Sequence, residues 1–186
     1  MLYVISGVPR SGKSQLAKLL NRKYSIPYIS TDILRDALGK AYPQLGIQED
    51  MRDRDKTPIL WPFFKGIMEE YRWYKSDYVM EGTNFNPEDL ATIKDYEYVK
   101  ICFLGYKDTT PEKKLFDIRE NPSEAEWTYD IEETQLKEWI ASWIRRSNSI
   151  YEICKSSGIN YYDTSNNFEA VIEKVAVELT TKHSQA

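Results

Sequence analysis

Short apolar runs of strand length recur along the chain and alternate with longer segments whose apolar residues are spaced three and four apart. Runs of the first kind are typical of buried strands, and segments of the second kind are typical of amphipathic helices. The predicted strands cover residues 2–5, 26–30, 77–84 including the exit of that strand, 98–104 and 159–162. Because strands alternate with helices, the pattern predicts an α/β fold: one five-stranded parallel sheet with right-handed crossovers and helices on both faces.

The predicted helices lie between and after these strands, at about 13–23, 33–39, 58–74, 87–94, 113–120, 131–155 and 168–179. The segment 131–155 has the most regular spacing, and Gly158 follows it as a stop signal. Residues 40–55 are rich in charge and lack a clean apolar period, so they are expected to form an exposed connection.

A glycine-rich segment follows the first predicted strand and precedes a helical pattern. It reads Gly7-Val8-Pro9-Arg10-Ser11-Gly12-Lys13-Ser14 and matches G-x-x-x-x-G-K-[ST]. Between a strand and a helix, this motif predicts a phosphate-binding loop, and an ordinary glycine-rich turn is the alternative. The whole segment is therefore predicted to bind ATP.

The residue types of this loop suit its predicted chemistry. Glycine at positions 7 and 12 permits backbone dihedrals in which successive N–H groups point toward an anion. The helix that begins near Lys13 adds unpaired N–H groups and the positive end of its dipole. The Lys13 ammonium is placed to reach the β- and γ-phosphates and to act in catalysis, and the Ser14 hydroxyl is placed to ligate Mg²⁺. ATP and Mg²⁺ are therefore the predicted cofactors.

Asp32 follows the second predicted strand. Because ligands of open α/β sheets bind at the carboxyl ends of strands, Asp32 is expected near the γ-phosphate. There it would accept the proton of an attacking acceptor hydroxyl or hold a water on Mg²⁺. The alternative is that Asp32 only caps the next helix, a position that Ser30 or Thr31 also suits. Arg35, one turn along, is predicted either to bind an acidic acceptor or to be a solvated surface residue.

The third predicted strand ends at Glu81 and Gly82. A carboxylate at such a strand end is typical of a Walker-B-type magnesium ligand, so Glu81 is predicted to hold the metal beside the acceptor. The alternative is that Glu81 has no role in binding, because an apolar run that ends in Glu-Gly is common. Gly82, Thr83 and Asn84 are expected to present backbone and polar groups to the acceptor.

Two segments are predicted to cover the site within a single domain of residues 1–186: an acceptor flap at about 33–75 and a lid at about 106–130. Arg119 in the lid is the candidate for neutralising phosphoryl charge in the transition state, although a cation near a helix C-terminus is favourable without catalysis. On the helix 131–155, Arg145 lies opposite the apolar stripe and Arg146 lies at its edge. Arg146 is thus the better candidate for binding an acceptor anion, and a surface role is the alternative.

Composition excludes several classes of function. A formal net charge of −4 and a pI near 5.2 disfavour non-specific binding to nucleic acid, which requires a basic face. The two cysteines, Cys102 and Cys154, belong to no metal motif, and a single histidine, His183, leaves no room for a Ser/His/Asp triad or a histidine-based metal site. The N-terminus lacks signal-peptide features and no run approaches a membrane span, so a cytoplasmic protein without a membrane partner is expected.

With these motifs placed, the chain resembles the P-loop small-molecule and nucleotide kinases, the group of shikimate, gluconate and adenylate kinases. Within that group it is most similar to the short 2-phosphoglycerate-kinase-like, AAA-type ATP-binding proteins. The resemblance is carried by the segments 7–14, 30–35, 78–82 and 161–165. It implies a three-layer α/β/α fold with strand order 2-3-1-4-5 and a loop after the fifth strand that contacts adenine. By position, that role falls to Asp163, Thr164 and Ser165.

These observations predict an ATP-dependent kinase that transfers the γ-phosphate to a small-molecule acceptor of unknown identity. The lid lacks the closely spaced pair of arginines of adenylate kinases, which argues against a nucleoside monophosphate as acceptor. One alternative is an ATP-binding regulatory module with slow hydrolysis, whose output is a movement of the flaps. The other is a kinase acting on polynucleotide ends, which the acidic charge disfavours. The sequence does not indicate the oligomeric state.

Overall fold

The computed structural model of the chain describes residues 1–48, 51, 53–122 and 127–181. Within these residues the strands form one sheet, and its members are β1 (Leu2–Gly7), β2 (Tyr28–Ser30), β3 (Tyr78–Glu81), β4 (Val99–Gly105) and β5 (Asn160–Asp163). The strand order is β2-β3-β1-β4-β5, and every neighbouring pair is parallel. The predicted α/β class, the parallel sheet and the order 2-3-1-4-5 are confirmed.

The described helices are α1 (Lys13–Tyr24), α2 (Thr31–Ala41), α3 (Asp53–Glu70), α4 (Pro87–Ala91), α5 (Pro111–Glu120), α6 (Glu133–Ser157) and α7 (Phe168–Thr180). Short 3₁₀ turns occupy Pro43–Leu45 and Tyr71–Trp73. Two helix boundaries differ clearly from the prediction. α3 begins before Pro58 and contains both Pro58 and Pro62, and α4 ends early because the N–H groups of Thr92 and Ile93 bond three residues back in a tighter turn.

Apolar side chains fill both faces of the sheet. On one face α1 and α7 pack through residues such as Leu16, Leu20 and Val175, and on the other α3, α4 and α6 pack through residues such as Phe64 and Ile150. Every residue of β1 is buried, as expected for a strand that is central to a parallel sheet. The core therefore lies in two layers on either side of the sheet, which gives the predicted three-layer arrangement.

The sheet register brings the ends of three strands to one edge. Ile5 of β1 lies beside Glu81 of β3, and Glu81 also lies beside Ser30 of β2. The N–H of Gly82 donates to the Ile5 carbonyl, which continues the pairing by one residue. Because parallel strands end on the same side, the turns that follow β1, β2 and β3 all face one cavity.

Cys102 and Cys154 are both buried and free. Among the described residues, no helix combines the length and the apolar composition that crossing a bilayer requires. His183 lies outside the described residues, as do parts of the exposed connection and of the predicted lid. The division into flap and lid stays a prediction.

Candidate active site

The loop between β1 and α1 adopts a backbone conformation that favours glycine at two positions. Gly7 and Gly12 have φ values of 139° and 99°. A Cβ at Gly7 would lie 1.8 Å from the Leu104 carbonyl oxygen, and one at Gly12 would lie 2.8 Å from Phe168 Cζ. Both glycines are therefore required by conformation and by space. Arg10 has a φ of 60°, which is uncommon for a residue with a side chain.

Lys13 is the first residue of α1, and Gly12 before it supplies no side-chain cap. The first N–H groups of the helix are thus free of a side-chain competitor at the place where the motif predicts phosphate. The Lys13 side chain is buried, and its ammonium donates a 2.7 Å hydrogen bond to the Val8 carbonyl across the loop. The Lys13 ammonium therefore lies within the curve of the loop.

A hydroxyl and a carboxylate meet beside this loop. Ser14 Oγ donates to Glu81 Oε1 at 3.2 Å. Glu81 is buried, and its pKa is raised mainly by burial and further by the charge of Asp32, while the Lys13 ammonium opposes the rise. The pair joins the start of α1 to the end of β3.

The oxygen donors of Ser14 and Glu81 fit the preference of Mg²⁺ for hard ligands. Within the part of the chain that the structure describes, no cluster of three or more His, Cys, Asp or Glu side chains is present that would form a cage for a metal. A site with one carboxylate and one hydroxyl suits an ion that keeps several waters and binds substrate phosphates. These two residues therefore fit the predicted magnesium site.

Asp32 is not the N-cap of α2. The cap is Ser30, whose Oγ accepts from the Asp32 N–H at 3.3 Å, so the capping alternative is wrong. The Asp32 side chain is instead available to the cavity that the phosphate loop also lines. Its Oδ1 accepts hydrogen bonds from Asn84 Nδ2 at 2.8 Å and from Arg35 Nη1 at 3.0 Å.

Arg35 lines the same cavity and is shared between two carboxylates. It donates to Asp32 Oδ1 and, at 2.8 Å, to Asp36 Oδ1. Gly82 also meets a steric requirement. A Cβ at this position would lie 1.8 Å from Thr31 Oγ1, so glycine lets the exit of β3 pass close to the start of α2. Gly82 does not line the cavity, whereas its neighbour Thr83 does.

Arg119 does not reach the phosphate loop. Its guanidinium donates to the carbonyls of Thr128 at 3.1 Å and Ile131 at 3.4 Å, and it lies 5.5 Å from the centre of the Tyr129 ring. It is not part of the cavity wall. The reason is the path of the chain, because residues 127–131 fold back over the end of α5 and engage the cation there. Arg119 thus joins the end of α5 to the segment 128–131.

Another cation of α5 faces the cavity, and the sequence pattern did not single it out. Lys114 lines the cavity although it is buried, and burial lowers its pKa to about 8. Its ammonium lies 4.2 Å from the centre of the Tyr106 ring, and the Tyr106 hydroxyl donates to the Pro9 carbonyl at 2.7 Å. Helix α5 and the phosphate loop are therefore joined through Tyr106. In the sequence, Lys114 has no spacing that distinguishes it from a surface lysine.

Arg146 agrees with its predicted position at the edge of the α6 stripe. It is half-buried, lines the cavity, and donates to Asn86 Oδ1 at 2.7 Å. Arg145 is exposed and also borders the cavity. Arg146 therefore adds its guanidinium to that of Arg35 in the cavity wall.

The loop after β5 supports its neighbours as well as lining the cavity. Asp163 accepts hydrogen bonds from the N–H groups of Lys107 at 2.9 Å and Ser165 at 2.8 Å, and it does not line the cavity. Thr164 Oγ1 bonds the carbonyls of Ser11 and Gly105. Thr164 and Ser165 do line the cavity. An adenine contact is thus open to these two residues, whereas Asp163 is engaged in holding the loops together.

The cavity is large and continuous, with a volume of about 2250 Å³. Its wall is formed by the phosphate loop, α5, the loop after β5, the ends of β2 and β3, and α6. Trp127, Trp139 and Trp143 form an aromatic cluster in the wall, with ring centres 6.0–6.4 Å apart. The space suits a nucleotide and a second small molecule side by side.

Comparison with known proteins agrees with this architecture. No family model matches the chain. Over 101 residues it is 30% identical to an adenylate kinase of Pyrococcus abyssi (strain GE5 / Orsay), and the match covers 53% of this chain and 45% of that protein. The chain therefore spans about half the length of the curated relative that it matches.

Solved structures extend the likeness over the whole chain. A shikimate kinase from Bacteroides thetaiotaomicron superposes with a TM-score of 0.58 at 15% identity, covering 96% of both chains. A gluconokinase from Sinorhizobium meliloti 1021 gives a TM-score of 0.52 at 14% identity, covering 95% of this chain and 94% of the other. At such identities the likeness shows the fold. The chain thus has the fold of shikimate kinase and gluconokinase, and about half of it is similar in sequence to an adenylate kinase.

Proposed function

We propose that this protein is an ATP-dependent phosphotransferase that moves the γ-phosphate of ATP to a hydroxyl or acid oxygen of a small-molecule acceptor. The observation that carries the proposal is the meeting of four groups at one edge of the sheet: Lys13, Ser14, Glu81 and Asp32. They are the cation, the two metal donors and the carboxylate that in-line phosphoryl transfer needs.

The nucleotide end of the reaction belongs to the phosphate loop. The backbone N–H groups of the loop 7–14, in which only Pro9 lacks one, hold the phosphates together with the start of α1. The Lys13 ammonium stabilises the charge that spreads over the transferred group. Ser14 and Glu81 would hold Mg²⁺, which would supply positive charge beside the phosphates when bound. Lys114 adds a positive charge from the lid side, and Thr164 and Ser165 contact the base.

The acceptor end is formed by residues of α2, β3 and α6. Asp32 accepts the proton of the acceptor hydroxyl as its oxygen attacks the γ-phosphorus. Arg35 and Arg146 bind anionic groups of the acceptor, because guanidinium groups recognise carboxylate and phosphate well. Arg119 contributes by keeping the lid segment folded over the cavity.

The experiment that tests the proposal is a thermal-shift screen of a metabolite panel, run with and without a non-hydrolysable ATP analogue and Mg²⁺. A true acceptor raises the melting temperature further when the analogue is present, because it binds the nucleotide-bound form. Hits are then tested for acceptor-dependent release of ADP. An analogue that stabilises the protein, without any panel member that accelerates ADP release, contradicts the kinase proposal and favours a nucleotide-binding switch.

A variant pair separates binding from transfer. Lys13→Ala is expected to abolish nucleotide binding, whereas Asp32→Asn is expected to preserve it and to lower transfer about 10²–10⁴-fold, the usual contribution of a general base. Equal ATP consumption by the wild type and Asp32→Asn, with acceptor present, removes Asp32 from the mechanism.

A further inference from the structure

Asn84 lies just beyond β3 and is completely buried, with 0% of its surface exposed. Its side-chain nitrogen donates to Asp32 Oδ1 at 2.8 Å and to Thr31 Oγ1 at 3.0 Å. An amide nitrogen carries two hydrogens, so both bonds form at once. Turning the amide over would set its oxygen against the Asp32 carboxylate, so the nitrogen faces Asp32.

The other half of this amide has no partner. Among the described residues nothing donates a hydrogen bond to the buried Asn84 Oδ1. A buried polar atom left without a partner costs free energy, and an apolar side chain of similar size avoids that cost. Stability therefore does not explain an asparagine here. The explanation lies in what its nitrogen does for Asp32.

The two bonds to Asp32 converge on one oxygen. Asn84 and Arg35 both donate to Oδ1, and no described residue donates to Oδ2. The Asp32 side chain is 44% exposed and lines the cavity. A carboxylate held from two sides by one oxygen keeps its plane fixed and leaves the other oxygen available to a substrate. Arg35 is also bound to Asp36, so Asn84 is the neutral one of the two groups that orient Asp32.

We propose that Asn84 is a positioning residue, whose amide orients the Asp32 carboxylate so that Oδ2 takes the acceptor's proton. This inference rests on the proposed function. In the step, the acceptor oxygen forms a bond to the γ-phosphorus and its proton passes to Asp32 Oδ2. The bond from the γ-phosphorus to the β–γ bridging oxygen breaks, and ADP leaves with that electron pair. Asn84 touches neither substrate and acts only through Asp32.

The first test is Asn84→Leu, with Asn84→Ala as a smaller variant in case leucine disturbs folding. Mg²⁺-ATP alone is the probe, with water as the acceptor and ADP release as the readout. Turnover is expected to fall about 10- to 100-fold, the range typical for loss of a group that orients a functional residue. The affinity for a non-hydrolysable ATP analogue is expected to stay near the wild-type value. Turnover is expressed per folded molecule, because loss of the bond to the buried Thr31 Oγ1 also lowers the melting temperature. Asn148→Ala, an exposed change on α6 outside the cavity, is the matched control.

The inference is overturned if the Asn84 variants have a lower melting temperature but the wild-type turnover per folded molecule. That result would show that Asn84 supports only the fold. A double-mutant cycle gives the second test. If Asn84 acts through Asp32, then adding Asn84→Leu to Asp32→Asn lowers turnover no further. Independent, multiplying losses contradict the inference.

The same cycle separates this inference from the proposed function. Unchanged turnover in Asp32→Asn defeats the assignment of Asp32 as base, and the positioning role falls with it. A loss in Asp32→Asn combined with wild-type turnover in both Asn84 variants leaves the base in place and defeats the positioning role alone.

Discussion

Ser14 Oγ lies 3.2 Å from Glu81 Oε1, although 67 positions separate the two residues along the chain. The bond joins the first turn of α1 to the last residue of β3. Because β1 and β3 are neighbouring parallel strands, their ends necessarily lie side by side. The sheet order therefore builds the oxygen pair that we assign to Mg²⁺.

The magnesium assignment predicts a specific defect in Glu81→Gln. The amide keeps the size of the side chain but removes the charge that attracts the cation. We expect the Mg²⁺ concentration for half-maximal ADP release to rise about 10- to 100-fold, as for the loss of a residue that supports a metal site. Titration of activity with Mg²⁺ measures this. Glu97→Gln, an exposed change after α4, serves as the control, and an equal Mg²⁺ requirement in all three proteins rejects Glu81 as a ligand.

The pH dependence of stability offers an independent test of Glu81. Burial raises its pKa above the ordinary value of 4.5, so the folded state holds this proton more tightly than the unfolded state. By linkage, the contribution of Glu81 to stability falls as the pH rises from 4.5 through the raised pKa. In the Glu81→Gln variant no such fall in stability occurs. The free energy of unfolding of this variant, relative to the wild type, is therefore expected to increase over this pH window and then level off. Denaturant unfolding at several pH values measures the difference, and a constant difference contradicts the burial of a charge here.

Gly12 is predicted to be intolerant of any side chain. A Cβ there would lie 2.8 Å from Phe168 Cζ and 2.9 Å from Ile172 Cδ1, and φ is 99°. Strain and overpacking together are expected to destabilise Gly12→Ala by about 2–4 kcal/mol and to abolish nucleotide binding. Gly66→Ala is a sharp control, because Gly66 lies within α3 with nothing within 4 Å of its Cβ position. That change is expected to stabilise the protein by about 0.5–1 kcal/mol. Thermal unfolding of both variants measures the contrast, and equal effects contradict it.

Lys114 is predicted to destabilise the folded state at neutral pH. Burial lowers its pKa from 10.5 to about 8, so between these values the folded state binds fewer protons than the unfolded state. Stability therefore rises with pH across that window, and below about 8 the fold carries a buried charge. Lys114→Met is expected to be more stable than the wild type by about 1–3 kcal/mol at pH 7, with the advantage shrinking toward pH 10. Unfolding curves at both pH values test this. An advantage that does not depend on pH, or a loss at pH 7, contradicts the prediction.

The sequence predicted those features that follow from local pattern. The phosphate loop has a fixed spacing between a strand and a helix, and Asp32 and Glu81 end strands of a parallel sheet. The positions of side chains that depend on the path of the loops could not be predicted in this way. Arg119 is turned aside because residues 127–131 fold back onto it. Lys114 lines the cavity because Tyr106 and α5 bring it there, and no periodicity in the sequence signals that contact.

Boundaries differed for equally physical reasons. The third helix was predicted to begin at Pro58, where its apolar stripe starts, yet α3 begins at Asp53 and carries Pro58 and Pro62 within it. Gly82 was predicted from its place after β3 alone, and the sequence did not indicate that the exit of β3 passes close to Thr31 and requires glycine there. The positioning bond from Asn84 to Asp32 joins the exits of β2 and β3, and only the strand order shows that these exits are neighbours.

The central claim is that the turn after β1 binds the triphosphate of ATP through its amides and Lys13. Isothermal titration calorimetry with a non-hydrolysable ATP analogue and Mg²⁺ tests it directly, on the wild type, on Lys13→Ala and on Lys155→Ala as the exposed control. We predict saturable binding of one nucleotide per chain in the wild type and in Lys155→Ala, and none in Lys13→Ala. Equal binding by all three proteins, or no binding by the wild type, contradicts the account.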